Sequence, residues 1–269
     1  MLVTSLAVLT ALLYLIATGI QLTHLVQRRQ QIDGKVSLLG LIALLSHAFV
    51  AWTGIANDGT IGLGFYKVPA LIFLVINVAC IISISVLRRP LQNLLVALFP
   101  LSALSVLVSA FSPQNPVADA QMPAGVLLHV ASSLLAYSVL TLAACQAVLV
   151  ALQDHELKHR HTRGIIQILP PLQLMESMLF ELLWVGVTLL TVSIGSGIVF
   201  LDDIFAQHLV HKTALTIAAW GLFSILLWGR YQLGWRAQTA VRLTLTGFAL
   251  LMLAYFGSKL VLELVLQRP

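Results

Sequence analysis

Histidines set in long apolar runs are the residues of this chain whose type and placement could do chemistry. His129 lies in Leu127 to Tyr137, LLHVASSLLAY, and His47 in LLSHAFVAW. An imidazole in hydrocarbon is costly unless it faces a bundle interior and finds a partner, so each is a candidate functional residue. Two imidazoles on different helices at similar depth can approach an iron from opposite faces, which is what a bis-histidine haem site in a bundle requires. The candidate metal ligands are His47 and His129, with His211 as a reserve. Tyr137, Trp52 and Trp220 are candidates to line or shield the ring. Equally, each imidazole could be a packing residue bonded to backbone or to a hydroxyl such as Ser46, Ser132 or Ser133. The spacing leaves both readings open.

Composition fixes the solvent in which those residues sit. The chain has 269 residues, 59% hydrophobic and 9% charged, with a mean hydropathy of +0.97. A soluble domain of this size needs far more polar surface, so the expectation is an all-α, polytopic membrane protein forming a single domain over residues 1–269. A span needs about 20 apolar residues at about 1.5 Å each. By that measure eight spanning helices are expected, near Leu2–Val26, Val36–Trp52, Lys67–Leu87, Leu91–Phe111, Pro123–Leu152, Met178–Phe200, His211–Tyr231 and Thr239–Leu266.

Charge gives the orientation. Eleven of the fifteen Lys and Arg residues fall in alternate loops: Arg28, Arg29, Lys35, Arg88, Arg89, Lys158, Arg160, Arg163, Arg230, Arg236 and Arg242. Basic loops stay cytoplasmic, so both termini are expected to face outward, towards a bacterial periplasm. His47 then lies ~17 Å from the inner edge and His129 ~9 Å below the outer one, a difference in depth of ~4 Å in a ~30 Å core. His208 and His211 sit above them.

The remaining polar groups read more simply. Asp202 and Asp203 face Lys212 across a turn, Lys259 and Glu263 are an i, i+4 pair, and Glu176 and Glu181 flank the start of the sixth span. The connector 153–177, with His155, His159 and His161 among basic residues, suits the anionic inner leaflet. Pro170-Pro171 should break the preceding helix. Ser193 to Gly197, SIGSG, reads as a close-packing seam. Cys80 and Cys145 lie inside apolar runs with no CxxC or CxxCH, which excludes a dithiol motif or covalent haem attachment on this chain. No P-loop, dinucleotide fingerprint, nucleophile elbow or HExxH occurs, so no enzymatic turnover is expected, nor any nucleic-acid partner.

Several segments resemble a known family. His129-Val130 followed by Tyr137 resembles the His-Val…Tyr segment of the CcsA/CcmC group of cytochrome c assembly proteins, in which that histidine is a haem ligand near the outer surface. Trp220, Arg230…Gly234-Trp235-Arg236, Gly247-Phe248 and Tyr255-Phe256-Gly257 resemble the C-terminal portion of CcsA-type proteins in order and spacing. LLWGRYQLGWR and LAYFGSKLV resemble more closely the eight-span, YpjD-type inner-membrane branch. The likeness is best over residues 123–268. It implies a bacterial inner-membrane protein that binds or handles non-covalent, b-type haem, with other cytochrome maturation or membrane proteins as partners besides the lipid bilayer. The family's tryptophan-rich outer motif is absent, replaced by FLDDIFAQHLVHK, and Trp228 and Leu266 stand where histidines are expected. Only His129 carries over directly, with His47 as candidate partner and Lys212 or Lys259 as candidates for the propionates. The other readings are divalent-cation transport or efflux, using the outer histidines with Asp202 and Asp203, and a scaffold whose haem site has decayed.

Overall fold

The computed structural model describes residues 2–27, 34–57, 60–61, 65–86, 91–112, 123–159, 169–200 and 210–257. His161, Asp202, Asp203, His208, Lys259 and Glu263, singled out above, lie outside the described residues. Among the described residues the chain is helical apart from a two-residue antiparallel pair, β1 (Ala56–Asn57) with β2 (Thr60–Ile61). Helices are forced on this sequence by lipid, which offers no partner to an open backbone N–H or C=O. Eight are long and apolar enough to cross a membrane.

These are α1 (Leu2–Val26), α2 (Gly34–Ile55), α3 (Val68–Ser85), α4 (Leu95–Phe111, preceded by a short 3-10 turn), α5 (Ala124–Lys158), α6 (Leu172–Phe200), α7 (Val210–Gln232) and α8 (Ala237–Met252), the last running into a π turn at Leu253–Gly257. Two run past the apolar stretches that foretold them. Helix α5 continues through Gln153, Asp154 and Glu156, all good or tolerable helix residues, to Lys158, where Lys158 Nζ pairs with Asp154 at 2.7 Å. Helix α6 begins at Leu172 because Pro171 starts it: the Pro171 carbonyl accepts from the N–H groups of Leu174 and Met175. Proline needs no donor in a first turn, so the Pro-Pro pair initiates one helix as well as ending what precedes it.

The helices form two compact units, residues 1–121 and 122–269. In the first, α1 packs on α2 and α4, and α3 on α4 and α2. In the second, α5 packs on α6 and α8, and α7 on α8 and α6. Small residues line the seams: Ala7, Ala11, Ala43, Ala70 and Ala103 in the first unit, and Ala136, Ala143, Ala147, Ala219 and Ala240 in the second, are all buried. Large apolar residues such as Leu12, Phe49, Trp184 and Trp228 point outward, the inverse of a soluble protein and the pattern lipid favours.

Glycines of the second unit receive bulky neighbours. A Cβ on Gly186 of α6 would lie 2.6 Å from Leu140 Cδ2 of α5, and one on Gly247 of α8 would lie 2.8 Å from the Phe223 ring of α7. Gly125 takes Phe200 in the same way, and Gly229 takes Trp235.

The turn joining α7 to α8 is built around Gly234, at φ +65°, the left-handed region that glycine enters without cost. Leu233 and Trp235 both donate their N–H to the Gly229 carbonyl, and Arg230 donates from Nη1 to the Trp235 carbonyl at 3.0 Å. The Arg230 guanidinium also lies over the Phe180 ring, 4.7 Å from its centroid. Helix α8 has no capping side chain of its own at Arg236. Glu176, buried on α6, supplies the cap from another helix, accepting from the Ala237 N–H at 3.0 Å. Glu176 is therefore a tertiary helix cap rather than a residue beside the entry to α6. Glu176→Ala is expected to cost about 1 kcal/mol. Glu176→Gln, which keeps an acceptor oxygen, should restore most of the thermal unfolding midpoint measured in detergent.

Candidate functional site

Residues four apart on a helix share a face, so His129, Ser133 and Tyr137 form one stripe along α5. Helix α6 packs against that stripe and brings Ser193 to it. His129 Nδ1 lies 2.8 Å from the Ser193 carbonyl oxygen. A carbonyl only accepts, so the imidazole carries its proton on Nδ1 and donates it there. In the neutral ring this leaves the lone pair on Nε2, for which the described residues provide no hydrogen-bond partner. That is the tautomer and orientation that ligating histidines adopt when a backbone carbonyl fixes the other nitrogen.

A second connection runs back from α6 to α5. Ser133 Oγ donates to the His129 carbonyl at 2.7 Å and also lies 2.6 Å from Ser193 Oγ. Its only hydrogen is spent on the carbonyl, so Ser193 is the donor between the two hydroxyls. His129 and Ser193 are thus joined twice, ring to backbone in one direction and hydroxyl to hydroxyl to backbone in the other. Ser196 Oγ, one turn on, donates at 3.0 Å to the same Ser193 carbonyl that receives the imidazole.

Further along the stripe the Tyr137 hydroxyl donates to the Leu251 carbonyl of α8, and its ring meets Tyr255 edge-on at 5.6 Å between centroids. Lys212 of α7 places Nζ over the Tyr255 ring, 5.4 Å from the centroid. Trp220, also on α7, donates from Nε1 to Thr191 Oγ1 of α6 at 2.9 Å. All four helices of the second unit therefore contribute fixed aromatic or polar groups. His211 is exposed at the start of α7.

His47 belongs to the first unit and is fully buried. Its Nδ1 lies 3.2 Å from the Tyr14 hydroxyl of α1, with the two rings edge-on. Asn77 of α3 donates to the Phe73 carbonyl at 2.9 Å and to Ser102 Oγ of α4 at 2.7 Å, and stands 3.4 Å from the Tyr14 hydroxyl. One polar network so ties all four helices of this unit. His47 Nε2 is enclosed and makes no hydrogen bond of normal geometry among the described residues, while the Ala70 backbone of α3 lies within reach of the imidazole. Trp52, on the same helix, is 64% exposed and faces outward.

Backbone and hydroxyl partners were both open from the sequence; the structure gives His47 a hydroxyl, that of Tyr14 and not Ser46, and His129 a backbone carbonyl, that of Ser193. Tyr14 had a readable signal: Thr10, Tyr14, Gln21 and His24 recur at helical spacing on α1, and all are buried. Ser193 had none beyond its small size. His155 lies in the last turn of α5 and His159 directly follows it, with ring centroids 4.2 Å apart. Among the described residues no group of three or more His, Cys, Asp or Glu is placed to hold a metal ion.

Eight membrane-length helices, with an imidazole fixed between two of them in ligand-ready form, define a polytopic membrane protein with a candidate ligand-binding histidine. The chain belongs to the cytochrome c assembly protein family, whose model matches residues 35–266. That match reaches back through α2 to α4 as well as over the C-terminal portion. The chain is 31% identical over 261 residues to the inner membrane protein YpjD of Escherichia coli (strain K12), covering 95% of this chain and 98% of that protein. It is 26% identical over 157 residues to the protein HemX of Brevibacillus brevis, covering 56% of this chain and 58% of that one. An uncharacterised 28.8 kDa protein of Azospirillum brasilense is 31% identical over 141 residues, 52% of each chain. No solved structure matches the chain.

Proposed function

We propose that this inner-membrane protein binds b-type haem non-covalently through His129 and handles it for cytochrome c assembly, without an enzymatic turnover of its own. In this reading the basic loops are cytoplasmic and both termini periplasmic. The observation that carries it is the His129 imidazole, whose Nδ1–H is committed to the Ser193 carbonyl while Nε2 is left to a ligand.

The residues present fit the group. Iron prefers a neutral imidazole nitrogen with its opposite N–H held by a backbone acceptor, and His129 offers that. His47, the second ligand expected from the sequence, belongs to the first unit, where it is fully buried and its Nδ1 meets the Tyr14 hydroxyl. Tyr137 and Trp220, held by their bonds to Leu251 and Thr191, are proposed to line the ring. Lys212 supplies a cation for a propionate. Bound haem supplies an iron that changes oxidation state, and the protein orients it and excludes water.

Protein purified in mild detergent from haem-replete cells is expected to show a Soret band and, on reduction, the sharp α band of a six-coordinate b-type haem. Apoprotein that takes up no added haem under these conditions would overturn the proposal.

A further inference from the structure

We propose that Ser133 and Ser193 are positioning residues that hold His129 in a single tautomer with Nε2 presented, and that Ser196 moderates how strongly the imidazole donates to iron. The inference rests on the reading that His129 ligates haem, and deepens it.

The argument is one of hydrogen counting. Ser193 gives its hydroxyl hydrogen to Ser133, Ser133 gives its own to the His129 carbonyl, and His129 gives its Nδ1–H to the Ser193 carbonyl. Each donor in this closed circuit has one hydrogen, and each is used. Rotating the imidazole by half a turn, or moving its proton to Nε2, would break the bond to Ser193 and leave a carbonyl with one fewer donor in a low-dielectric interior. The ring is therefore set before any ligand arrives, and the ligand need not supply the energy of ordering it. A serine at 193 also makes the α6 seam a means of aiming the histidine, besides allowing helices close together.

Ser196 bears on the same carbonyl. A carbonyl oxygen shared by two donors accepts less from each, so the Ser196 hydroxyl weakens the Nδ1–H bond of His129. A weaker bond leaves Nε2 less electron-rich and favours the reduced iron; removing Ser196 should do the opposite. Outer partners of this kind typically change affinity by about 10–100-fold.

The test has two readouts. In haem-free protein labelled with 15N-histidine, the His129 resonances, identified by their loss in His129→Gln, should report a neutral ring protonated on Nδ1. Ser133→Ala and Ser193→Ala keep the Ser193 carbonyl but remove the hydroxyl link that holds α5 in register on α6, and should convert this to an exchanging mixture and weaken haem binding by about 10–100-fold. Ser133→Thr, which keeps the hydroxyl, should behave as wild type. In haem-loaded protein Ser196→Ala should shift the midpoint potential to more negative values with the fold and spectrum intact. An Nε2-protonated His129 in the wild type would overturn the inference, as would alanine variants that change neither tautomer nor affinity. Wild-type protein with the stated tautomer but no haem uptake would sink the haem reading and leave the positioning circuit standing.

Discussion

Replacing His129 with alanine is expected to abolish the reduced α band in haem-replete protein while leaving a folded chain. The imidazole contributes one hydrogen bond to α5–α6 packing, worth about 1 kcal/mol, against many buried apolar contacts along the same helices. Helical circular dichroism and the elution volume should therefore stay near wild type. Free imidazole added to the variant should restore part of the band by occupying the vacated position, a rescue that a merely unfolded variant cannot give. His47 demands a different design. It is fully buried and bonded to Tyr14, so His47→Ala opens a cavity and strips the Tyr14 hydroxyl of a partner, at a cost of about 2–4 kcal/mol. His47→Gln keeps a polar group for Tyr14 but ligates iron poorly, and is the informative substitution. Loss of the six-coordinate band in His47→Gln supports two histidine ligands; an unchanged band in that variant would assign the second position elsewhere.

Gly229→Ala should be among the more damaging single-carbon changes at the described glycines, with Gly125→Ala beside it. A Cβ there would lie 2.3 Å from Trp235 Cε3 and 2.6 Å from two further ring atoms. The Trp235 backbone is fixed by its N–H to the Gly229 carbonyl and by its carbonyl to Arg230, so relief must come from rotation of the indole out of its packed position. Overpacking of this kind costs about 1–3 kcal/mol, so the unfolding midpoint in detergent should fall below that of wild type. Gly221→Ala and Gly195→Ala, whose added carbons would meet nothing within 4 Å, should be neutral or mildly stabilising. Combining Gly229→Ala with Trp235→Ala should cost less than the sum of the two, since the clash disappears with the ring. An additive pair would remove the packing explanation.

The spans were legible because lipid makes hydropathy nearly sufficient. Helix ends were less so: hydropathy measures what lies in hydrocarbon, whereas α5 continues to Lys158 on helix propensity after the apolar run ends. His129 could be singled out from its letter and surroundings, but its partner could not, since a backbone carbonyl has no letter of its own. The same holds for Glu176. A carboxylate near a membrane edge reads as a solvated charge, and only the approach of the α8 N-terminus gives it a backbone donor to satisfy. Tyr14 shows the opposite case, a polar stripe at helical spacing that was present in α1 to be read.

The glycine contacts of the second unit divide it into two self-contained hairpins. Each bulky side chain that fills a glycine comes from the adjacent helix in sequence or from the turn: Phe200 and Leu140 join α5 to α6, and Phe223 and Trp235 belong to α7 and the turn leading into α8. Neither hairpin needs the other to complete these fits. As the chain leaves the ribosome, α5–α6 can close and set His129 against Ser193 before α7 and α8 have entered the bilayer. The fit that aims the histidine is thus local to one hairpin, and the aromatic groups of α7 and α8 belong to the other.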